Sequence, residues 1–168
     1  MGRKILITGA SGGIGSSIAE KFLDEGFELI LTSSSEDNLN SLKKKYSEKH
    51  NYYVLNFNSI DSFEQNLKEI SNNHKDLEVL VNNAGITEDS LLIRMKNNQW
   101  EKVIESNLSS NFFIIKNLLP NMIKNKKGKI IGISSVVATS GNPGQANYVA
   151  AKSGMNGFYK SIALEVAS

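Results

Sequence analysis

The stretch Ile5-Leu6-Ile7-Thr8-Gly9-Ala10-Ser11-Gly12-Gly13-Ile14-Gly15 decides how the rest of the chain is read. Three β-favouring apolar residues run into a glycine-rich turn, and the turn opens a segment in which Ile14, Ile18 and Phe22 recur at helical spacing. Glycines there let the backbone approach a pyrophosphate closely, and the helix start offers free N–H groups and a partial positive charge. The stretch therefore predicts a strand–turn–helix cradle for a dinucleotide. The literal G-x-G-x-x-G is absent, since reading from Gly13 puts Ile18 at its last position, and a plain tight turn is the competing reading.

Outward from that stretch, short apolar runs alternate with longer segments of helical period. Ile5-Leu6-Ile7, Leu29-Ile30-Leu31, Tyr53-Val54-Leu55, Val79-Leu80-Val81 and Ile130-Ile131-Gly132-Ile133 read as buried strands. Leu39, Leu42 and Tyr46, then Phe63, Leu67 and Ile70, supply apolar stripes for two further helices, with Ser35 as one N-cap and Ser62 with Gln65 as a capping box. This is the pattern of βαβ units: a doubly wound, three-layer α/β/α fold with a parallel sheet of about five strands, in one domain over residues 1–168.

A long helix is predicted from Gln99 to Lys124. Its second half, Phe112-Phe113-Ile114-Ile115 and Leu118-Leu119, is apolar on more than one face, as for a helix covered by both the sheet and another subunit. Pro120 should bend its last turns. A final helix runs from about Ala146 to Ala167.

Composition narrows the function. The 168 residues include no cysteine, which removes disulfides and thiolate chemistry, and the net charge of +2 is too small to point to nucleic acid. His50 and His74 stand apart among polar neighbours and read as surface residues, so no metal site is expected. No apolar run approaches membrane-spanning length, and Met1-Gly2-Arg3-Lys4 leads straight into a strand rather than a signal peptide; the expectation is a soluble, cytoplasmic protein.

Three more stretches carry chemistry. Tyr148 and Lys152 lie four apart in the last helix, on one face, where an ammonium beside a phenol favours the phenolate and makes a proton donor. An exposed aromatic and lysine pair is the plain alternative. Asn82-Asn83-Ala84-Gly85 follows the fourth strand, at the sheet end where ligands bind in open α/β folds, although the same residues also favour turns. Ser134-Ser135 ends the fifth strand and could present a hydroxyl to a substrate carbonyl; serine at a strand end is also commonplace.

Together these stretches resemble the short-chain dehydrogenase/reductase family, across essentially the whole chain. More narrowly they resemble its 3-oxoacyl-[acyl-carrier-protein] reductases, through Asn83-Ala84-Gly85-Ile86-Thr87, Arg94-Met95-Lys96 with Trp100, and Gly141-Asn142-Pro143-Gly144-Gln145-Ala146-Asn147-Tyr148. The resemblance implies a Rossmann-like sheet in the order 3-2-1-4-5 and hydride transfer from a nicotinamide cofactor to a ketone. Tyr148 would be the proton donor and Ser135 the hydrogen-bond donor to the carbonyl. Lys152 would lower the phenol's pKa and hold the nicotinamide ribose, and Asn107 would anchor a water in the proton relay. Gly9, Ser11, Gly12, Gly13, Ile14 and Gly15 would line the cofactor phosphates. Asn56 and Phe57 would contact the adenine, and Asn83, with Ala84 and Gly85 beside it, the adenosine ribose.

The chain departs from the family in places. Gly12 stands where many NADP-dependent members carry a basic residue, yet Thr32-Ser33-Ser34-Ser35 holds no acidic residue of the kind that binds a free ribose 2′-OH. Hydroxyls do not repel a phosphate, so the expectation is NADPH, with NADH not excluded and Ser34 nearest the 2′ position. The family pattern continues past Ser168 into two more strands and a helical segment that covers the substrate, so the chain is expected to hold the cofactor-binding and catalytic core. Lys126, among Lys124, Lys127 and Lys129, matches a position used to dock acidic acyl carrier protein; a solvated helix end accounts for it equally. A homotetramer is implied, with no nucleic-acid or membrane partner. The rivals are another short-chain reductase, acting on a 3-oxoacyl-CoA or a small ketone or alcohol, and a non-catalytic dinucleotide-binding module.

Overall fold

The structure is a computed structural model that describes residues 2–167. Five strands, β1 (Lys4–Ile7), β2 (Glu28–Ser33), β3 (Asn51–Val54), β4 (Val79–Asn82) and β5 (Lys129–Gly132), form one parallel sheet in the order β3-β2-β1-β4-β5. Ile5 aligns with Leu29 on one side and Val79 on the other, so β1 is central. Ile5, Leu6, Ile7, Leu29, Ile30 and Leu31 have no exposed surface at all, because helices cover both faces and alternate residues are equally buried. That is why these strands are continuous apolar runs. The expected Rossmann-like α/β fold is the one observed.

The crossovers are α1 (Gly13–Asp24), α2 (Glu36–Tyr46) and α3 (Ile60–Asn73). Leu39, Leu42 and Tyr46 of α2 and Phe63, Leu67 and Ile70 of α3 are buried, as their spacing predicts. In α1 the expected stripe holds only in part: Ile18 and Phe22 are half-buried, Ile14 is 61% exposed, and the fully buried residues are Gly15 and Ala19. Small residues let α1 sit close on its sheet, and the larger apolar side chains are turned to its flank. Ser35 caps α2 by accepting from the Asn38 N–H at 3.4 Å. The Ser62–Gln65 box does not form; α3 starts earlier, and Ser62 Oγ instead donates to Ser59 O at 3.0 Å.

The long helix is α4 (Asn97–Ile104) and α5 (Ser110–Lys124), joined by a π-helical turn over Glu105–Ser109. α5 continues through Pro120, which is exposed. After β5 come the short α6 (Val137–Ser140) and α7 (Ala146–Val166). Two compact units emerge from the contacts: one runs through Ala84 and includes Ile114–Ile131, the other comprises Gly85–Phe113 and the chain from Gly132 onward. Among the described residues no helix is long and apolar enough to cross a membrane, and no group of three or more acidic, histidine or cysteine side chains could hold a metal ion.

His74 is not a surface residue. Its ring is buried, with Nε2 at 2.9 Å from the Tyr53 hydroxyl and Nδ1 lacking a partner. Its polar sequence neighbours do not show that the Tyr53 ring of β3 folds over it, edge-on at 5.7 Å. Burial lowers the His74 pKa first and the nearby Lys4 adds to it, outweighing Glu28, Asp76 and Glu69. Its stabilising contribution is then complete above the free-histidine value of 6.5 and falls as pH drops from there through the lowered folded value. Denaturant midpoints should fall between pH 7 and 5, and the fall should be smaller in His74→Gln. An unchanged pH slope in that variant would assign the loss to other groups.

Candidate active site

In the first unit the turn after β1 is built by hydrogen bonds that need its particular residues. Thr8 is buried; its N–H donates to Val81 O, and its Oγ1 accepts from the N–H groups of Asn83 and Ala84, both at 3.0 Å. Asn83 Nδ2 donates back to Thr8 O at 3.0 Å and Gly9 O at 3.1 Å. On the other side Ala10 N–H donates to Thr32 O at 2.9 Å. Gly9 has φ +64, and a Cβ there would lie 2.9 Å from Ala84 Cα. Only glycine meets both demands.

Gly15 has a different task. A Cβ on it would collide with Gly9 O and lie 2.7 Å from Asn83 Nδ2, so it lets α1 pack against the turn. Gly13 meets nothing within 4 Å, and Gly12, the N-cap of α1, supplies no side-chain cap. The exposed glycines and the uncapped first turn leave open space in front of unpaired helix amides, which suits a phosphate. Here the spacing Gly9, Gly13, Gly15, with Ala19 as the next small buried residue, replaces the literal motif.

The remaining expected cofactor positions in this unit are placed as follows. Ser11 Oγ lies 3.1 Å from Ser33 Oγ, and Ser34 is exposed. Asn56 Oδ1 accepts from Asn58 N–H at 3.0 Å, and the Phe57 ring meets Phe63 edge-on at 4.9 Å. The Asn83 side-chain nitrogen is engaged by the turn, so this residue shapes the cradle from behind.

In the second unit, α7 carries Tyr148 and Lys152. Lys152 is buried, its Nζ donates to Ile133 O at 2.7 Å, and it lies 5.7 Å from the Tyr148 ring centroid. Burial alone lowers its pKa. Asn107 has no exposed surface; Nδ2 donates to Ile86 O at 2.9 Å and Val103 O at 2.8 Å, and Oδ1 accepts from Ile86 N–H at 3.2 Å. It stands in the π turn, where its own carbonyl accepts from Asn111 Nδ2 at 2.9 Å. A Cβ on Gly85 would collide with Asn107 Oδ1 and stand 3.7 Å from Lys152 Nζ, so this unit brings Gly85, Asn107 and Lys152 together. Ser135 O accepts from Ala138 N–H at 3.1 Å, which turns the chain from β5 into α6, and the adjacent Ser134 Oγ is buried without a partner.

A family profile described as short chain dehydrogenase matches residues 3–168. The chain belongs to the short-chain dehydrogenase family. It is 47% identical over 163 residues to the 3-oxoacyl-[acyl-carrier-protein] reductase FabG of Buchnera aphidicola, covering 96% of this chain and 66% of that protein. Against the Haemophilus influenzae protein of the same name the identity is 44%, with 99% and 69% covered, and against that of Escherichia coli it is 46%, with 99% and 68% covered. The chain thus spans about two thirds of the length of these relatives.

Family membership implies a nicotinamide dinucleotide, and the uncapped, Cβ-free cradle at α1 fits one. One residue in each unit was not singled out from sequence: in the first Thr8, which pins the turn, and in the second Asn147, which is fully buried ahead of Tyr148. Their partners are 75 and 59 residues away, so only a contact map reveals them.

Gly15→Ala should cost about 1–3 kcal/mol by overpacking and weaken dinucleotide binding, whereas Gly13→Ala should leave the melting temperature unchanged. Thermal melts with and without dinucleotide check both. Lys152 makes a second forecast. Below its lowered pKa the ammonium is charged both folded and unfolded, so burial disfavours the fold at neutral pH and is relieved only as pH rises through the folded value. Lys152→Met should melt no lower than the parent at pH 7; a clear drop in melting temperature would contradict this account.

Proposed function

We propose that this protein is an NADPH-dependent reductase of 3-oxoacyl thioesters carried on acyl carrier protein, forming the 3-hydroxyacyl thioester in fatty acid synthesis. The observation that carries the reading is the buried Lys152, held on Ile133 O and set one helical turn after Tyr148. Burying an ammonium is unfavourable, so a position that keeps one points to work for the charge. The substrate class rests on the reductases of that name, to which the chain is 44–47% identical.

A bound nicotinamide supplies the hydride. The chain's own groups act on the ketone oxygen, where negative charge develops. Ser135 donates a hydrogen bond to that oxygen and Tyr148 delivers the proton to it. Lys152 holds the ribose hydroxyls and places its charge beside the Tyr148 ring. Asn107, whose two amide hydrogens are both placed on the Ile86 and Val103 carbonyls, anchors the relay water through an oxygen acceptor. Gly9, Gly12, Gly13, Ile14 and Gly15 surround the phosphates. Ser34, in a stretch with no carboxylate, receives the 2′-phosphate, which supports NADPH over NADH.

Lys126, exposed in a left-handed turn at φ 51 after α5, is the proposed docking point for the acidic carrier protein. Its neighbour Lys127 is paired with Glu78 at 3.0 Å. The proposed assembly is a homotetramer. Phe112 and Ile123 of α5, 44% and 57% exposed, support a second covered face on that helix.

NADPH absorbance should fall with acetoacetyl-carrier protein and more slowly with acetoacetyl-CoA; equal rates would undo the carrier assignment. Tyr148→Phe should lower kcat by about 10²–10⁴-fold and keep dinucleotide affinity, and surviving turnover would rule out Tyr148 as the acid.

A further inference from the structure

The second unit contains a buried amide that the reductive chemistry above does not use. Asn147 directly precedes Tyr148 in the first turn of α7 and has no exposed surface. Both hydrogens of its Nδ2 are placed on backbone carbonyls from other segments, Glu88 O at 3.0 Å and Gln99 O at 3.1 Å. Its Oδ1 accepts from the Tyr148 N–H at 2.8 Å. That N–H is one of the helix-start donors with no intrahelical acceptor, and the N-cap Gln145 offers no side-chain cap. Asn147 therefore takes over the missing cap and, with the same planar group, fastens the backbone of Tyr148 to the stretch after β4 and to α4.

We infer that Asn147 is a positioning residue for proton delivery by Tyr148. The inference rests on the reading of Tyr148 as the acid. Two carbonyls require two N–H donors and the Tyr148 N–H requires an acceptor, and a primary amide on a single methylene meets all three demands. Aspartate would set oxygens against both carbonyls, and serine could keep only part of the set. Around this buried centre lie less buried bonds of the same clasp: Ser90 N–H to Gly144 O at 2.8 Å between half-buried residues, and, exposed, Gln145 Nε2 to the Asp89 carboxylate at 3.0 and 3.1 Å. Glu88 is held in turn by an ion pair with Lys102 of α4. Water competes for the outer bonds and not for those of Asn147, so the buried amide sets the geometry. A shift of the Tyr148 backbone by a fraction of an ångström moves the phenol relative to Lys152 and the substrate oxygen. That lowers the rate of proton delivery while leaving ground-state binding in place.

The test compares Asn147→Ala and Asn147→Ser with the parent. Steady-state kinetics with NADPH and acetoacetyl-carrier protein should show kcat reduced about 10–100-fold in Asn147→Ala, with KM and dinucleotide Kd within about twofold. Asn147→Ser, which keeps an acceptor for the Tyr148 N–H, should recover part of kcat. Amide hydrogen exchange should show protection of the Tyr148 N–H lost in Asn147→Ala, with the amides of α7 beyond its second turn unchanged. If kcat holds within twofold in a folded variant, or kcat, KM and Kd all degrade together with the melting temperature, the positioning role is overturned. Should the parent itself fail to turn over, the functional reading fails; the exchange result then judges the clasp by itself, and retained protection at Tyr148 would overturn it.

Discussion

β1 is buried on both faces between β2 and β4, so the chain can leave it only through the gap between Thr32 and Ala84, and that gap has no room for a Cβ at Gly9. The other local features of the first unit follow from this constraint. The positive φ of Gly9 turns the backbone, the Thr8–Asn83 bonds lock the turn on one side and the Ala10–Thr32 bond on the other, and Gly15 lets α1 dock on it. The helix start that results has an open approach and no side-chain cap of its own. A helix start suited to an anion is the direct product of packing a helix tightly against the exit of a fully buried strand.

The second unit solves a different problem, which is to keep polar groups in place away from water. Lys152 has a carbonyl for its ammonium, Asn107 engages three backbone groups, and Asn147 engages three more. Such groups are costly to leave unpaired and rigid once paired. The π turn at Glu105–Ser109 belongs to this arrangement, since it seats Asn107 where its side chain meets Ile86 and its carbonyl meets Asn111. These buried, paired groups lie in the same unit as the half-buried Tyr148.

β1 and β2 were legible because they are buried on both faces, which leaves no polar positions in Ile5-Leu6-Ile7 or Leu29-Ile30-Leu31, whereas β3 and β5, also expected to be buried, are half-buried and partly exposed, with Ile131 41% exposed. The stripes of α2 and α3 were legible for the complementary reason, one face each on the sheet. α1 was read only in part because periodicity weights large apolar residues, and its fully buried residues are Gly15 and Ala19. His74 was misread because burial is a property of what folds over a residue, here Tyr53, and not of Asn73 and Lys75 beside it. Ser62 matched a capping box in spacing alone; α3 had already begun at Ile60.

By itself the sequence determined the alternation of strands and helices, the glycine-rich turn, and the Tyr148–Lys152 spacing, since each depends on residues within a few positions of one another or on a repeated local period. Only the tertiary structure decided which glycine shapes the turn and which admits the helix. It alone showed that Asn83 and Asn107 have side chains committed to the backbone, and that Asn147 holds Tyr148. These bonds join segments tens of residues apart, and an asparagine reads the same in a sequence whether its amide faces water or three buried backbone groups.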